Sequence, residues 1–305
     1  MTSLSVLICT YNRPELLAKS LAALIDGSQE KPDQVVVVNG GDERSDRVVR
    51  SFEYRHGIDV RLVKTLNKNL AASRNVGLPF CCGEIIAMTD DDAQVFPDWV
   101  SQMKRVHAEH PEAGAAGGPV LGTNTGSLVG KVADLITFRA YQAACYVRTL
   151  PGVNVSYKRA VIEQLGSQDE TLFRGEDVDF NWRVLQLGYK IYFDPQIKVY
   201  HHHRPTLRGF INQHYMYGRA YYLVRRKWPE MYCVYPHQVK RLRDIVKGLN
   251  FLAAIFYQPF LSARPLPNGL DRMMAIPVLF AANFAWKGGM LRQKMLVCRE
   301  NLADL

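Results

Sequence analysis

Three consecutive aspartates, Asp90, Asp91 and Asp92, close the apolar run Glu84-Ile-Ile-Ala-Met-Thr89. Carboxylates at the end of a buried strand repel one another and resist losing water, so they call for a compensating charge. Hard oxygen donors of this kind suit Mg²⁺ or Mn²⁺. A polar loop in which Asp90 or Asp92 caps the next helix accounts for the same residues. The neighbouring motifs must decide.

A second acidic group, Glu176 and Asp177, sits in Phe173-Arg-Gly-Glu-Asp-Val-Asp-Phe-Asn-Trp-Arg183. It introduces a helix whose buried face carries Phe180, Val184 and Leu187, and unpaired backbone donors at a helix start stabilise carboxylates. Asp179 and Arg183 stand one turn apart and can pair. Further on, His201, His202 and His203 follow a short strand-like segment. Alternation puts His201 and His203 on one side and His202 on the other.

The elements that must position these groups are legible in the first half. Leu4 to Cys9 reads as a buried strand ending at Thr10-Tyr-Asn-Arg13, with Pro14 in the first turn of a helix over 15–25. Val35 to Val38 is a second buried strand, closed by Asn39-Gly-Gly-Asp42. That turn lacks the spacing of a dinucleotide fingerprint or a P-loop. A helix over 43–56, a strand over 59–64 and a short helix carrying Arg74 follow. The order β-α-β-α-β-α-β predicts parallel strands whose carboxyl ends share one edge, where Thr10, Asn39 and the aspartates converge. There the Asn39 amide can read a base edge, and the Arg74 guanidinium matches either a carboxylate or a phosphate. Phe96 to Trp99 opens a helix towards His110. Gly114 to Pro119 reads as a turn-rich return to the sheet, and 122–148 as loops. In Pro151-Gly-Val-Asn154, Gly152 permits close backbone approach and Asn154 can bond a hydroxyl.

Taken together, Thr10-Tyr-Asn-Arg13, the strand ending at Asn39, Asn69-Leu-Ala-Ala-Ser-Arg74-Asn75 and the triple aspartate resemble the GT-A glycosyltransferases of family 2. The resemblance covers roughly residues 1–205. It implies a Rossmann-like mixed sheet flanked by helices and an inverting transfer from a nucleotide-activated sugar. It also implies contacts from Thr10, Tyr11, Arg13 and the second-strand end to the nucleoside. Asp92 is the first choice of metal ligand, with Asp90 contributing near the nucleotide and Asp91 in the variable middle position. By the same likeness Asp177 is the general base and Glu176 its orienting neighbour, while a histidine completes the metal-diphosphate site, His203 ahead of His201. The family commonly has aspartate where this chain has Asn39; Asp42 is the candidate compensating carboxylate. The expected cofactors are Mn²⁺ or Mg²⁺ and a nucleotide-sugar donor, with a uridine-diphosphate sugar the leading form.

Composition narrows the partners. Across 305 residues the formal net charge is +9, which favours an anionic partner. The aromatics interleaved with basic residues over 210–228 fit no nucleic-acid-binding frame. Six cysteines without a paired spacing argue against a disulfide scaffold or zinc site and fit a reducing cytosol. The chain enters its first strand without the regions of a signal peptide. Residues 206–305 form an expected helical appendage to a 1–205 catalytic domain. Its two apolar runs, 248–263 and 273–286, each fall short of the ~20 residues of an ordinary span, and Pro259 and Pro277 are expected to bend or divide them. Basic and aromatic flanks point to peripheral or shallow insertion at the cytoplasmic membrane face and to a lipid-linked or cell-envelope glycan acceptor. A buried protein interface competes with that reading, and a homo-oligomer is compatible with the sequence. The alternative functions are a nucleotidyltransferase acting on sugar phosphates, which would need a glycine-lysine motif missing here, and a catalytically silent membrane-binding protein.

Overall fold

The computed structural model describes residues 2–138, 141–231 and 239–303. They form two compact units, Met1–Thr123 with Phe138–His202, and Asn124–Thr137 with His203–Leu305.

In the first unit, strands β1 (Leu4–Thr10), β2 (Gln34–Asn39), β3 (Asp59–Lys64) and β4 (Ile85–Asp90) pair in parallel in the order β3-β2-β1-β4. Along β1, β2 and β4 both faces are buried, while the edge strand β3 exposes Asp59, Arg61 and Lys64. Leu4, Val6, Ile8, Val35 and Val37 pack on one side, and Leu7, Val36 and Val38 on the other. This is why the strands read as unbroken apolar runs. The crossovers are α1 (Pro14–Leu21), α2 (Glu43–Arg50) and α3 (Leu70–Gly77). Asp42 caps α2 by accepting from Ser45 N, and Asn69 caps α3 by accepting from Ala72 N. The helix α2 stops well before His56 because Tyr54 and His56 take positive φ, 63° and 53°, which no right-handed helix accommodates.

The sheet continues as β9 (Val155–Lys158), β6 (Ala113–Gly117), β10 (Lys190–Phe193) and β8 (Cys145–Val147), with β9 antiparallel to both β4 and β6. Helices α4 (Trp99–Glu109), α6 (Arg159–Leu165) and α7 (Glu176–Gln186) flank it. A small second sheet holds β5 (Ala93–Val95), β11 (Val199–His201) and β7 (Val120–Gly122), in the order β5-β11-β7. The turn-rich reading of 114–119 gives way to the fully buried strand β6, whose Ala-Gly-Ala-Ala-Gly sequence hides its role. A side chain at Gly114 would press on the Tyr189 ring, so small residues are what close packing demands there.

The second unit is helical. The expected loop over 122–148 contains helix α5 (Leu128–Ile136), capped by Ser127 accepting from Gly130 N. Its Val132 and Ala133 join a cluster with Phe210, Leu266 and Leu279. The remaining helices are α8 (Leu207–Lys227), α9 (Leu242–Ala263) and α10 (Gly269–Ala303). A methyl at Gly218 of α8 would overlap the Trp286 main chain, and one at Gly289 of α10 would overlap that of Tyr215; backbone meets backbone in this pair. Pro259 and Pro277 divide neither helix. Each lies inside a continuous one, of 22 and 35 residues respectively. Both α9 and α10 are long and apolar enough to cross a membrane by length and composition. The free thiols are Cys9, Cys81, Cys82, Cys145 and Cys298; Cys233 lies outside the described residues.

Candidate active site

The parallel register sets Thr10 beside Asn39 and Cys9 beside Asp90, so three strand ends reach one edge of the sheet. After Asp90 the chain turns through Asp91 and Asp92 into β5, which pairs antiparallel with β11 and places Ala93 opposite His201. That pairing brings His201 Nε2 within 3.3 Å of Asp92 Oδ1. Asp90, Asp92 and His201 each offer one ligand atom, all within 4.8 Å of one another. Two hard oxygens and one imidazole nitrogen suit a divalent cation.

Asp91 points elsewhere. It accepts from Thr10 Oγ1 at 2.7 Å and from Arg13 Nη1 at 3.1 Å, and the same Arg13 nitrogen reaches Asp92 Oδ2 at 2.9 Å. Burial pushes the Asp91 carboxyl up to about 6, against the pull of Arg13 and Thr10. Asp90 is likewise raised, first by loss of water and then by Asp92, with Arg74 opposing.

The Asn39 side chain is fully buried and fully engaged. Its amide nitrogen donates to Asp42 O at 2.8 Å and Asp46 Oδ1 at 2.6 Å, and its oxygen accepts from Gly41 N at 2.8 Å. Asp46 also receives Lys64 Nζ at 2.8 Å. A contact from this amide to a base edge would require those bonds to be remade. Asp42 caps α2 and pairs with Arg44 at 2.8 Å. Asn12, which sequence reasoning passed over, adopts φ 54° and accepts from Asp42 N at 2.8 Å, tying the first two strand-end loops together. Asparagine tolerates this left-handed backbone better than most residues. Tyr11 is exposed.

Arg74 joins the two acidic centres. It is buried, and its guanidinium donates to Glu176 Oε1 at 3.1 Å, Asp90 Oδ1 at 3.5 Å and Gly152 O at 3.1 Å. A Cβ at Gly152 would lie 2.7 Å from both terminal nitrogens of Arg74, so glycine is required for this approach. Gly152 N in turn donates to Asp177 Oδ2 at 3.0 Å, while Asp177 Oδ1 accepts from Val178 N at 2.8 Å. Gly175, at φ 80°, supplies the sharp entry that starts α7 at Glu176. Burial and the adjacent Asp177 charge push Glu176 up to about 7, with Arg74 holding it back. Asp177 stays half-buried.

Two residues singled out in the sequence have other commitments. The Asn154 amide accepts from Trp99 Nε1 at 2.8 Å and donates to Pro119 O and Ile197 O, so it joins α4 to the chain around β7 and β11. In the second unit, His203 Nε2 lies 3.2 Å from Asp134 Oδ1. Among the described residues, the histidine in the metal-capable group is His201. Asp46, Lys64 and Gly175 carried no sequence signal, because their roles depend on contacts that spacing does not disclose.

Residues 5–166 match the model of "Glycosyl transferase family 2". A glucosyl-dolichyl phosphate glucuronosyltransferase from Haloferax volcanii is 27% identical over 218 residues, covering 65% of this chain and 68% of that protein. A pre-mycofactocin glycosyltransferase from Mycobacterium tuberculosis is 28% identical over 165 residues, 50% of this chain but only 34% of its own length. Among solved structures, a mannosyltransferase from Pyrobaculum calidifontis in complex with GDP-Man and Mn²⁺ superposes with TM-score 0.66 at 16% identity, covering 96% of this chain and 87% of that one. At that identity the likeness is one of fold. The matched segment runs from β1 through the metal-capable turn to α6 and selects glycosyl transfer over nucleotidyl transfer. This protein therefore belongs to glycosyl transferase family 2, as an inverting, metal-dependent GT-A enzyme that draws on nucleoside-diphosphate sugars.

Proposed function

We propose that the enzyme transfers a sugar to a hydroxyl of a lipid-linked or cell-envelope glycan at a membrane surface, with Asp177 as general base. The observation that carries the mechanism is the Arg74 bridge, which links the carboxylates of the metal-capable turn to the start of α7. Asp90, Asp92 and His201 would hold a divalent cation, which when bound offsets charge on the departing diphosphate. Thr10, Tyr11, Arg13 and the turn from Asn39 to Asp42 form the nucleoside edge, with Arg13 already paired to Asp91 and Asp92. Asp177 takes the proton from the acceptor hydroxyl as that oxygen attacks the anomeric carbon. Its Oδ2 is oriented by Gly152 N, and Glu176 and Arg74 fix the local charge.

Support for the acceptor comes from two sides. The Haloferax relative is named for a dolichyl-phosphate-linked sugar, and α9 and α10 are apolar enough to meet lipid. The active site then works at the cytoplasmic face, where nucleotide sugars are available. A donor panel with membrane lipid extract and Mn²⁺ or Mg²⁺, following released nucleoside diphosphate and labelled glycan together, tests the reading. Release and transfer that both vanish in a folded Asp177→Asn variant support it. Failure of metal-supported donor binding across the panel sinks it.

A further inference from the structure

Helix α9 passes a simple length-and-composition test for a membrane span, yet its residues are arranged for something else. Leu242, Ile245, Leu249, Leu252, Phe256 and Phe260 are all exposed, from 47% to 77%. At about 100° per residue these six fall within one sector roughly 80° wide, and the exposed Val246, Tyr257 and Leu261 extend the apolar surface on one flank to about 180°. Arg243, Lys247, Asn250 and Gln258, also exposed, occupy the opposite side. The helix is held within its own unit by Phe251, which packs near Tyr222 and Met290, and by Asn283 Nδ2 donating to Ala254 O at 3.1 Å.

A span needs apolar residues all round and a long uncharged stretch. From Gly248 to Ala263 the uncharged part rises only ~24 Å, against ~30 Å of hydrocarbon. Spanning would also carry Asn250 and Gln258 into lipid. Lying flat satisfies every group: the apolar stripe enters the acyl boundary, and Arg243 and Lys247 remain at the level of the headgroups. Their charge, within a chain of net charge +9, selects an anionic lipid surface as the occupant.

Resting on the membrane-surface reading above, we infer that α9 is an in-plane anchor whose Leu242-to-Phe260 stripe inserts along its whole length into an anionic bilayer leaflet. An environment-sensitive fluorescent amino acid, placed singly at positions 245, 249, 252, 256, 260 and 250 of the full chain, reports depth. Vesicles containing phosphatidylglycerol carry a quencher either near the headgroup or near the acyl terminus. The expected result is a constant ratio of shallow to deep quenching at the five stripe positions and little quenching at 250. A ratio that inverts at 252 and recovers at both ends means a span and overturns the in-plane anchor while leaving membrane association intact. Absence of any vesicle response overturns both. Stripe positions already shielded without vesicles, with a doubled mass in solution, indicate a second copy as the occupant and overturn it too. As an independent check, Phe256→Ser with Phe260→Ser should weaken vesicle partitioning by at least about tenfold. Lys247→Glu should weaken binding to anionic vesicles and leave weak binding to neutral ones unchanged.

Discussion

Replacing Glu176 with glutamine should make the catalytic unit more stable, and should do so only towards neutral and alkaline pH. Glu176 is buried beside Asp177, and its carboxyl is pushed from the ordinary 4.5 to about 7. Below the unfolded value both states are protonated, and the glutamine variant resembles the wild type. Between the two values the folded protein keeps a proton that the unfolded chain has lost, so stability falls as pH rises. Above the folded value the full cost is present, on the order of 3 kcal/mol, because each tenfold change in proton affinity is worth ~1.4 kcal/mol. Glutamine removes that slope. Urea denaturation followed by tryptophan fluorescence in chelator, at about pH 4 and about pH 8, measures the difference between the two proteins. Expected is near-coincidence at the lower pH and a clear advantage for the variant at the higher. An equal offset at both pH values, or a variant weaker at both, would show that the Arg74 bond outweighs burial and would refute the charge balance drawn around Glu176. The same variant should transfer sugar more slowly, since the charge that strains the fold also fixes Arg74.

Asp177→Asn should lower transfer by roughly 10²–10⁴-fold with donor affinity little changed, read by comparing turnover with donor titration. Asp92→Asn and His201→Ala should each weaken Mn²⁺ binding by at least about tenfold, visible as free-ion signal in electron paramagnetic resonance; loss of an outer-sphere partner alone often costs that much. His203→Ala should leave that signal unchanged if His201 is the ligand. Gly289→Ala should destabilise the helical unit by about 1–3 kcal/mol or more, whereas Gly288→Ala, with open space around its Cβ, should be neutral or slightly stabilising. Thermal melts of the pair separate a packing requirement from a general effect of alanine.

The central strands of the parallel half were legible because burial on both faces leaves few polar positions, and Val35 to Val38 admits little else. The aspartates were legible because no buried strand ends in three carboxylates without some cation or donor to meet them. Other features depended on distant partners. The reading of Asn154 as a hydroxyl contact missed Trp99 Nε1 and two carbonyls, none of which is near it in sequence. Strand alternation placed His201 and His203 on one side, but β11 ends at His201, and beyond it alternation no longer governs direction. The glycines at 126 and 130 hid α5, whose apolar spacing is sound once Ser127 is recognised as its cap. In α9 and α10, proline breaks less than its chemistry suggests. It removes one hydrogen bond and clashes with the preceding turn, yet packing along the rest of a long helix holds the segment together.

The bond between Asn39 and Asp46 constrains how this enzyme can change. Asp46 is buried and takes hydrogens from Asn39 at 2.6 Å and from Lys64. An aspartate introduced at 39 alone would set two carboxylates against each other at that distance, beneath the turn from Asn39 to Asp42. Asp46→Asn first, followed by Asn39→Asp, gives the new carboxylate a donor from the amide at 46 and keeps one negative charge near Lys64, at the cost of the hydrogen bond that Asp42 O accepts from Asn39. The reverse order crosses a state with a charge too many. The two positions therefore behave as one mutational unit with a preferred sequence of steps, and altering the turn after β2 by a single substitution at Asn39 meets epistasis first.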